Sequence, residues 1–228
     1  MAAKDEALGR TPVAGEAPAL GQGAGKWGRT AASQARRREI LAAAKHVFFR
    51  QGYHLASLDQ VAQAAGVTRR TVYDHFGSKE ALFAEVIAFA SGQFIDTLPS
   101  AGSLQRPPAA GLAAFVQRLR AAVAEPGSAR FQRIVIAEAE RHPEFGAALY
   151  RATVLATEKV LADYLNACIA DGLMTAVDVA AEARLVVSLT TNTVRLRALL
   201  GQEPAPPEPA EQAALDAAIA RITGAAGR

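Results

Sequence analysis

The sequence predicts an all-α chain, and three observations predict it. Every strong apolar pattern recurs at helical spacing, no segment alternates apolar and polar residues as a half-buried strand does, and the breaks between patterns are short Pro/Gly punctuations. With 228 residues, half of them apolar, the chain can bury a substantial core as one large or two small domains. The patterns divide it into a tail over 1–32, a three-helix unit over 33–78 and a helical bundle over 79–224, with 79–96 as a connecting helix.

Residues 1–32 are rich in Ala, Gly and Pro, so they cannot offset the entropy of ordering and read as a mobile tail. Lys26, Trp27 and Arg29 close it, either as a basic arm for DNA phosphates or a minor groove, or as an inert leader. Ser33 is placed to cap a first helix running to about Gln51, with Ile40, Leu41, Ala44, Val47 and Phe48 inward and Gly52 at its end. Arg36, Arg37 and Arg38 in its first turn oppose the helix dipole, which points to an anionic partner outside the chain; Arg36 and Arg37 are assigned to phosphate. Tyr53, Leu55 and Leu58 are expected to complete this unit's core.

Ser57 begins a short helix with Leu58, Val61 and Ala62 on one face, and Gly66 sits where a left-handed residue would end it. Thr68 then caps a second short helix with Val72 and Phe76 inward. Arg69, Arg70, Thr71, Tyr73 and His75 are left largely outward, a composition suited to base edges and phosphates and thus to the recognition helix of a helix-turn-helix. Charge agrees. Residues 26–79 hold ten Lys or Arg against three acids, a net of +7, whereas residues 80–228 hold thirteen against sixteen, a net of −3. Ser57, Thr68 and Lys79 join the DNA-contacting set.

Ser78 caps the connecting helix, whose Leu82, Phe83, Val86, Ile87, Phe89 and Phe94 exceed what one contact face needs, so this helix is expected to touch both units. Further helices are predicted over about 108–124, 127–141, 143–171, 178–200 and 208–223, broken at Glu125-Pro126-Gly127, His142-Pro143, Asp171-Gly172 and Pro204–Pro209.

The run Thr71-Val72-Tyr73-Asp74-His75-Phe76-Gly77-Ser78-Lys79-Glu80-Ala81-Leu82-Phe83 resembles the segment shared by TetR-type transcriptional regulators, and the likeness covers about residues 33–96. A shorter segment, Arg133 to Phe145, resembles the carboxy-terminal domain of AefR-like members. The resemblance implies an N-terminal three-helix DNA-binding domain, a regulatory and dimerisation bundle, and a homodimer on a palindromic double-stranded operator. It also implies a small lipophilic or aromatic effector that releases a repressor from DNA. A chromosome-associated factor with the same head and no effector is the alternative, and ligand-insensitive DNA binding would distinguish it.

For the effector pocket the resemblance and residue types suggest Phe89, Phe94, Phe115, Phe131, Phe145, Tyr150 and Tyr164. Thr191 and Asn192, in the polar run Thr190–Thr193 of an apolar helix, call for a ligand or a facing subunit, or else their hydroxyls bond back to the preceding turn. Glu138 is a candidate partner for Arg195 inside the bundle. Leu185, Leu189, Leu196, Leu199, Leu215 and Ile219 form the expected dimer face.

Other classes are excluded by what the sequence offers. Cys168 is the sole cysteine, so no intramolecular disulfide forms; it reads as core filler, with a redox sensor as the other option. His46, His54, His75 and His142 have no metal-type spacing, no phosphate loop or nucleophile elbow is present, and no cofactor is expected. No apolar run approaches the ~20 residues of a membrane span, and the start lacks a compact hydrophobic region, so a cytoplasmic, non-enzymatic protein is expected.

Overall fold

The computed structural model describes residues 31–104 and 107–224, and among them all regular structure is helical. The helices are α1 (Ala31–Leu55), α2 (Leu58–Ala65), α3 (Arg69–Phe76), α4 (Lys79–Asp96), α5 (Pro108–Ala124), α6 (Pro126–Glu138), α7 (Pro143–Tyr150), a π-helical stretch (Arg151–Leu155), α8 (Ala156–Ala170), α9 (Val179–Leu199) and α10 (Pro209–Thr223). Lys26, Trp27 and Arg29, offered above as an arm, lie outside the described residues.

Local signals set most boundaries. α1 breaks at Gly52, whose φ of 78° a residue with a Cβ adopts only under strain. Ser33 is not the first cap, however: α1 already runs from Ala31, so Arg36 to Arg38 fall in its second turn, where the dipole argument loses force. The helix expected over 143–171 is interrupted by the π-helical stretch. There the Thr153 hydroxyl donates to the Leu149 carbonyl at 2.7 Å and competes with the backbone for that acceptor.

Two buried clusters organise the packing. The first joins Ile40, Ala44 and Phe48 of α1, Val61 of α2, Val72 and Phe76 of α3 and Leu82, Phe83, Val86 and Ile87 of α4 to Phe131 and Val135 of α6 and Phe145 of α7. The second gathers Leu112, Phe115 and Leu119 of α5, Leu161, Leu165 and Cys168 of α8, Val186 and Val187 of α9 and Leu215 and Ile222 of α10, with Phe94 and Ile95 of α4 against its edge. α4 therefore feeds both clusters, as its excess of apolar residues predicted. Leu55 departs from expectation: the turn after Gly52 swings it into solvent at 76% exposure, while Tyr53 is buried and Leu58 partly so.

Candidate nucleic-acid interface and regulatory cavity

The helix-turn-helix is held by its caps. Ser57 Oγ accepts from the Gln60 amide at 3.2 Å while Gln60 Oε1 accepts from the Ser57 amide at 2.9 Å, and Gly66 closes α2 in the left-handed region at φ 64°. Thr68 Oγ1 accepts from the Thr71 amide at 3.1 Å and starts α3; Ser78 Oγ does the same for α4 with Ala81. Val72 and Phe76 turn α3 inward, which points the opposite face to solvent.

On that face Arg69, Arg70 and Tyr73 are exposed, and Thr71 and His75 are half-buried. Arg69 donates to Asp59 at 3.0 Å and Arg70 approaches Asp74 at 3.7 Å. Both pairs lie in solvent, where an ion pair is worth at most about 1 kcal/mol, so a phosphate or a guanine edge can displace either carboxylate. Burial first, and then the Arg37 guanidinium, lowers the His75 pKa below the usual histidine range, leaving a neutral imidazole at pH 7.

Three cations assigned to DNA from sequence, Arg36, Arg37 and Lys79, have partners within the chain. Arg37 donates to the His75 carbonyl at 2.7 Å and to Glu85, and lies 4.3 Å from the Phe76 ring centroid, so it ties α1 to α3 and α4. Lys79 donates to the His54 carbonyl at 3.2 Å with its ammonium over the Tyr53 ring. Arg36 pairs with Glu39 on the surface. Arg37 is thus a structural brace, a correction to its reading as a phosphate contact.

The head meets the body at a continuous seam. Phe83 sits within 5.0 Å, centroid to centroid, of Phe48, Tyr53 and Phe145, and Phe49 stacks on Phe131 at 4.8 Å. Arg130 of α6 donates to the Arg50 carbonyl at 3.1 Å. Glu138, only 3% exposed, pairs with His54 at 3.0 Å and not with Arg195, which corrects that expectation. Arg195 instead buries its Nε without a partner, and desolvation lowers its pKa.

A cavity of about 380 Å³ lies between α5, α6, α9 and the chain from Gly201 to Pro207. None of the residues expected to line a pocket lines this one, and Phe145 is buried in the first cluster. Phe115 and Tyr164 fill the second cluster and Phe131 the first, because the largest apolar side chains gain most from full burial. Phe89 and Phe94 pack at the cluster edges, and Tyr150 is 54% exposed. Thr190 and Thr191 donate to the Val186 and Val187 carbonyls, the back-bonding alternative, and Asn192 faces solvent.

Arg120, Arg133, Arg197, Leu189 and Thr193 stand on the cavity wall, and the proline run from Pro204 covers it. Sequence reading missed the three arginines, because nothing in the pattern of their helices sets them apart from the neighbouring polar residues.

Along α9, Leu185, Asn192, Leu196 and Leu200 are exposed at a spacing that puts them on one face. Leu200 was missed. Leu215 is fully buried against its own bundle and cannot belong to a dimer face, a correction; Leu189, Leu199 and Ile219 are partly buried.

Comparison with known proteins bears on both halves. Residues 40–86 match the model of bacterial regulatory proteins of the tetR family, and residues 110–225 match the C-terminal domain of AefR-like transcriptional repressors, just over half of the chain. The chain belongs to the TetR family. As a TetR-family member it is a DNA-binding transcriptional regulator with no enzymatic activity. It is 44% identical over 52 residues to the transcriptional activator FasR of Mycolicibacterium smegmatis, covering 23% of this chain and 24% of FasR. It is 38% identical over 101 residues to the regulator SrpR of Pseudomonas putida, covering 44% of this chain and 45% of SrpR. These matches therefore span less than half the length of either relative.

Among solved structures, a TetR-family regulator from Mesorhizobium loti superposes with a TM-score of 0.69 at 25% identity over 84% of this chain and 96% of that one. The flavonoid-responsive regulator FrrA superposes at 0.67 and 27% identity, over 84% and 97%. No helix among the described residues of this TetR-family regulator is long and apolar enough to cross a membrane, and no described cluster of His, Cys, Asp or Glu has the makings of a metal site.

Proposed function

We propose that the protein is a homodimeric repressor that binds a palindromic operator through α3 and is released from it by a small-molecule effector bound in the helical body. The observation that carries this reading is α4, whose one end packs in the head cluster while its other end packs against the body cluster. A rigid element shared by two cores converts a change in one into a rotation of the other. The AefR-like description of the matched C-terminal model, a repressor domain, points the same way.

The division is a DNA-binding unit over 33–78 and a ligand-binding and dimerisation unit over 79–224. Arg69, Arg70 and Tyr73 carry most of the operator contact, with Ser57, Thr68, Thr71 and His75 beside them. Arg36 and Lys79 reach phosphate by giving up weak surface partners. The exposed α9 face with Leu185, Leu196 and Leu200 supports dimerisation, since one short recognition helix buries too little surface for tight specific binding. Such a protein works where the DNA is, in the cytoplasm.

The test begins by selecting operator sequences from random DNA. A palindrome with half-sites about one helical turn apart is expected. Leu196→Glu should then yield a monomer in sedimentation that no longer binds the operator. A dimer with unchanged operator affinity would refute the assembly, and DNA binding insensitive to every compound that stabilises the protein would refute effector release.

A further inference from the structure

We infer that the cavity between α5, α6 and α9 takes an amphipathic monoanion, a carboxylate on a compact apolar body, with Arg120 as its recognising cation. The inference rests on the reading of the body as a regulatory unit and gives that unit's ligand a chemical class. Charge accounting on the wall carries it. Arg133 is committed to the Ala198 and Leu199 carbonyls at 2.9 and 3.3 Å, Arg197 to Glu208 at 3.4 Å, and Glu211 accepts from the Thr193 hydroxyl. Arg120 differs: it stands on the cavity wall, and its buried Nε makes no hydrogen bond among the described residues. A desolvated guanidinium donor without an acceptor is unfavourable, and a carboxylate is the acceptor that suits its planar fork.

The rest of the wall narrows the class. Ala121, Ala129, Leu189, Val194 and Pro206 offer apolar contact, which favours a hydrocarbon or aryl body over a sugar or a nucleotide. Glu203 and Glu211 stand on the same wall, and hydrogen bonds from the Thr193 hydroxyl and then the Glu208 amide, with smaller help from the Arg120 and Arg197 charges, hold the Glu211 carboxyl below its usual range. Glu211 is therefore ionised and repels a second negative charge, so monoanions are preferred to dianions. At about 380 Å³ the cavity lies near the small end of the ~300–1,000 Å³ range of ligand sites.

Its position gives such a ligand leverage. Ala129 and Arg133 of α6 face the cavity, whereas Arg130 and Phe131 of the same helix contact Arg50 and Phe49 of α1. A ligand that shifts α6 therefore acts on the head directly, alongside α4.

Calorimetric titration of the full chain with 2-naphthoate and decanoate, against 2-naphthamide and decanamide, tests this. Each acid should bind about 10- to 100-fold more tightly than its amide, the range expected of a charge-assisted hydrogen bond. Arg120→Met should abolish the difference, Arg120→Lys should keep part of it, and Ala121→Leu should weaken all four by filling the space. If Arg120→Met does not fold, the Lys and Leu variants still decide the matter. Acids and amides bound equally, acids indifferent to the Arg120 variants, or no binding at all would overturn the inference. Arg120-dependent binding that leaves operator affinity unchanged would uphold the site and refute effector release. Operator release by compounds indifferent to Arg120 would do the reverse.

Discussion

The two buried clusters are built on different principles. In the head-side cluster Phe48, Tyr53, Phe83, Phe131 and Phe145 interlock edge to face, and α2, α3 and α4 each start on a side-chain cap. Among the described residues, the buried side-chain polar atoms without a hydrogen bond belong to Ser91, Arg120, Glu138 and Arg195; Arg120 borders the cavity, whereas Glu138 lies at the seam with the head. The body-side cluster is mainly aliphatic. It borders a cavity, and α5 and α8 lack a side-chain cap. A unit that must present α3 in one geometry is over-determined, whereas a unit with spare volume and unmet polar groups has more than one arrangement within reach.

The strongest way to break this contrast is to remove its centre. Phe83 is fully buried, and Phe83→Ala should cost about 3–5 kcal/mol in chemical denaturation and lower operator affinity with it. The half-buried Phe94, at the body edge, should cost distinctly less when truncated to Ala. Equal losses would mean that the two clusters do not differ in rigidity.

Arginines sharpen the comparison next. Arg70→Ala removes an exposed side chain of α3 and should cost operator affinity about 1–3 kcal/mol if it reads a base, relaxing preference at one position. Arg37→Met removes a brace. It should lower folding stability by about 1 kcal/mol, discounted for its partial exposure, and leave the slope of log affinity against log salt unchanged. A slope reduced by about 1 on removing Arg37 would restore it to the phosphate contacts.

Hydroxyls give a smaller contrast. Thr68→Val deletes the cap of α3 and should cost about 1 kcal/mol, whereas Thr191→Val deletes only a back-bond to Val187 and should stay within about 0.5 kcal/mol. Thermal denaturation of both variants separates the cases, and a large loss at Thr191 would mean that its hydroxyl serves a site.

What was legible in the sequence was what neighbours in sequence decide. Ser57, Thr68 and Ser78 cap helices through residues three positions on, Gly66 takes its left-handed φ, and the apolar excess of α4 revealed two contact faces. Distant pairing was not legible. Arg37 finds partners 38 and 48 residues away, and an arginine run at a helix start reads the same whether it faces phosphate or a glutamate. Glu138 met His54 across the seam, and Leu215 turned into its own bundle, because apolar spacing reports that a face is covered and not by what. The cavity escaped for a related reason. Aromatic residues suggested a pocket but filled the cores, and the wall formed from alanines, prolines and arginines that helical periodicity treats as surface.

The smallest expected effect is a pH dependence local to the head. The His75 pKa is lowered by burial and by Arg37, with Asp74 opposing and Arg36 adding slightly. A histidine whose folded pKa lies below its unfolded value binds fewer protons when folded, so stability rises with pH through that interval. This contribution is fully present above the unfolded value of about 6.5 and is lost as pH falls through it toward the folded pKa. His75→Gln removes the titration and keeps a side chain able to donate and accept. Urea midpoints measured from pH 7.5 down to 5.5 should fall more steeply for the unmodified protein than for His75→Gln, with the two agreeing at pH 7.5. Parallel curves would show that protonated His75 is tolerated beside Arg37, and so that the α1–α3 brace is looser than its contacts imply.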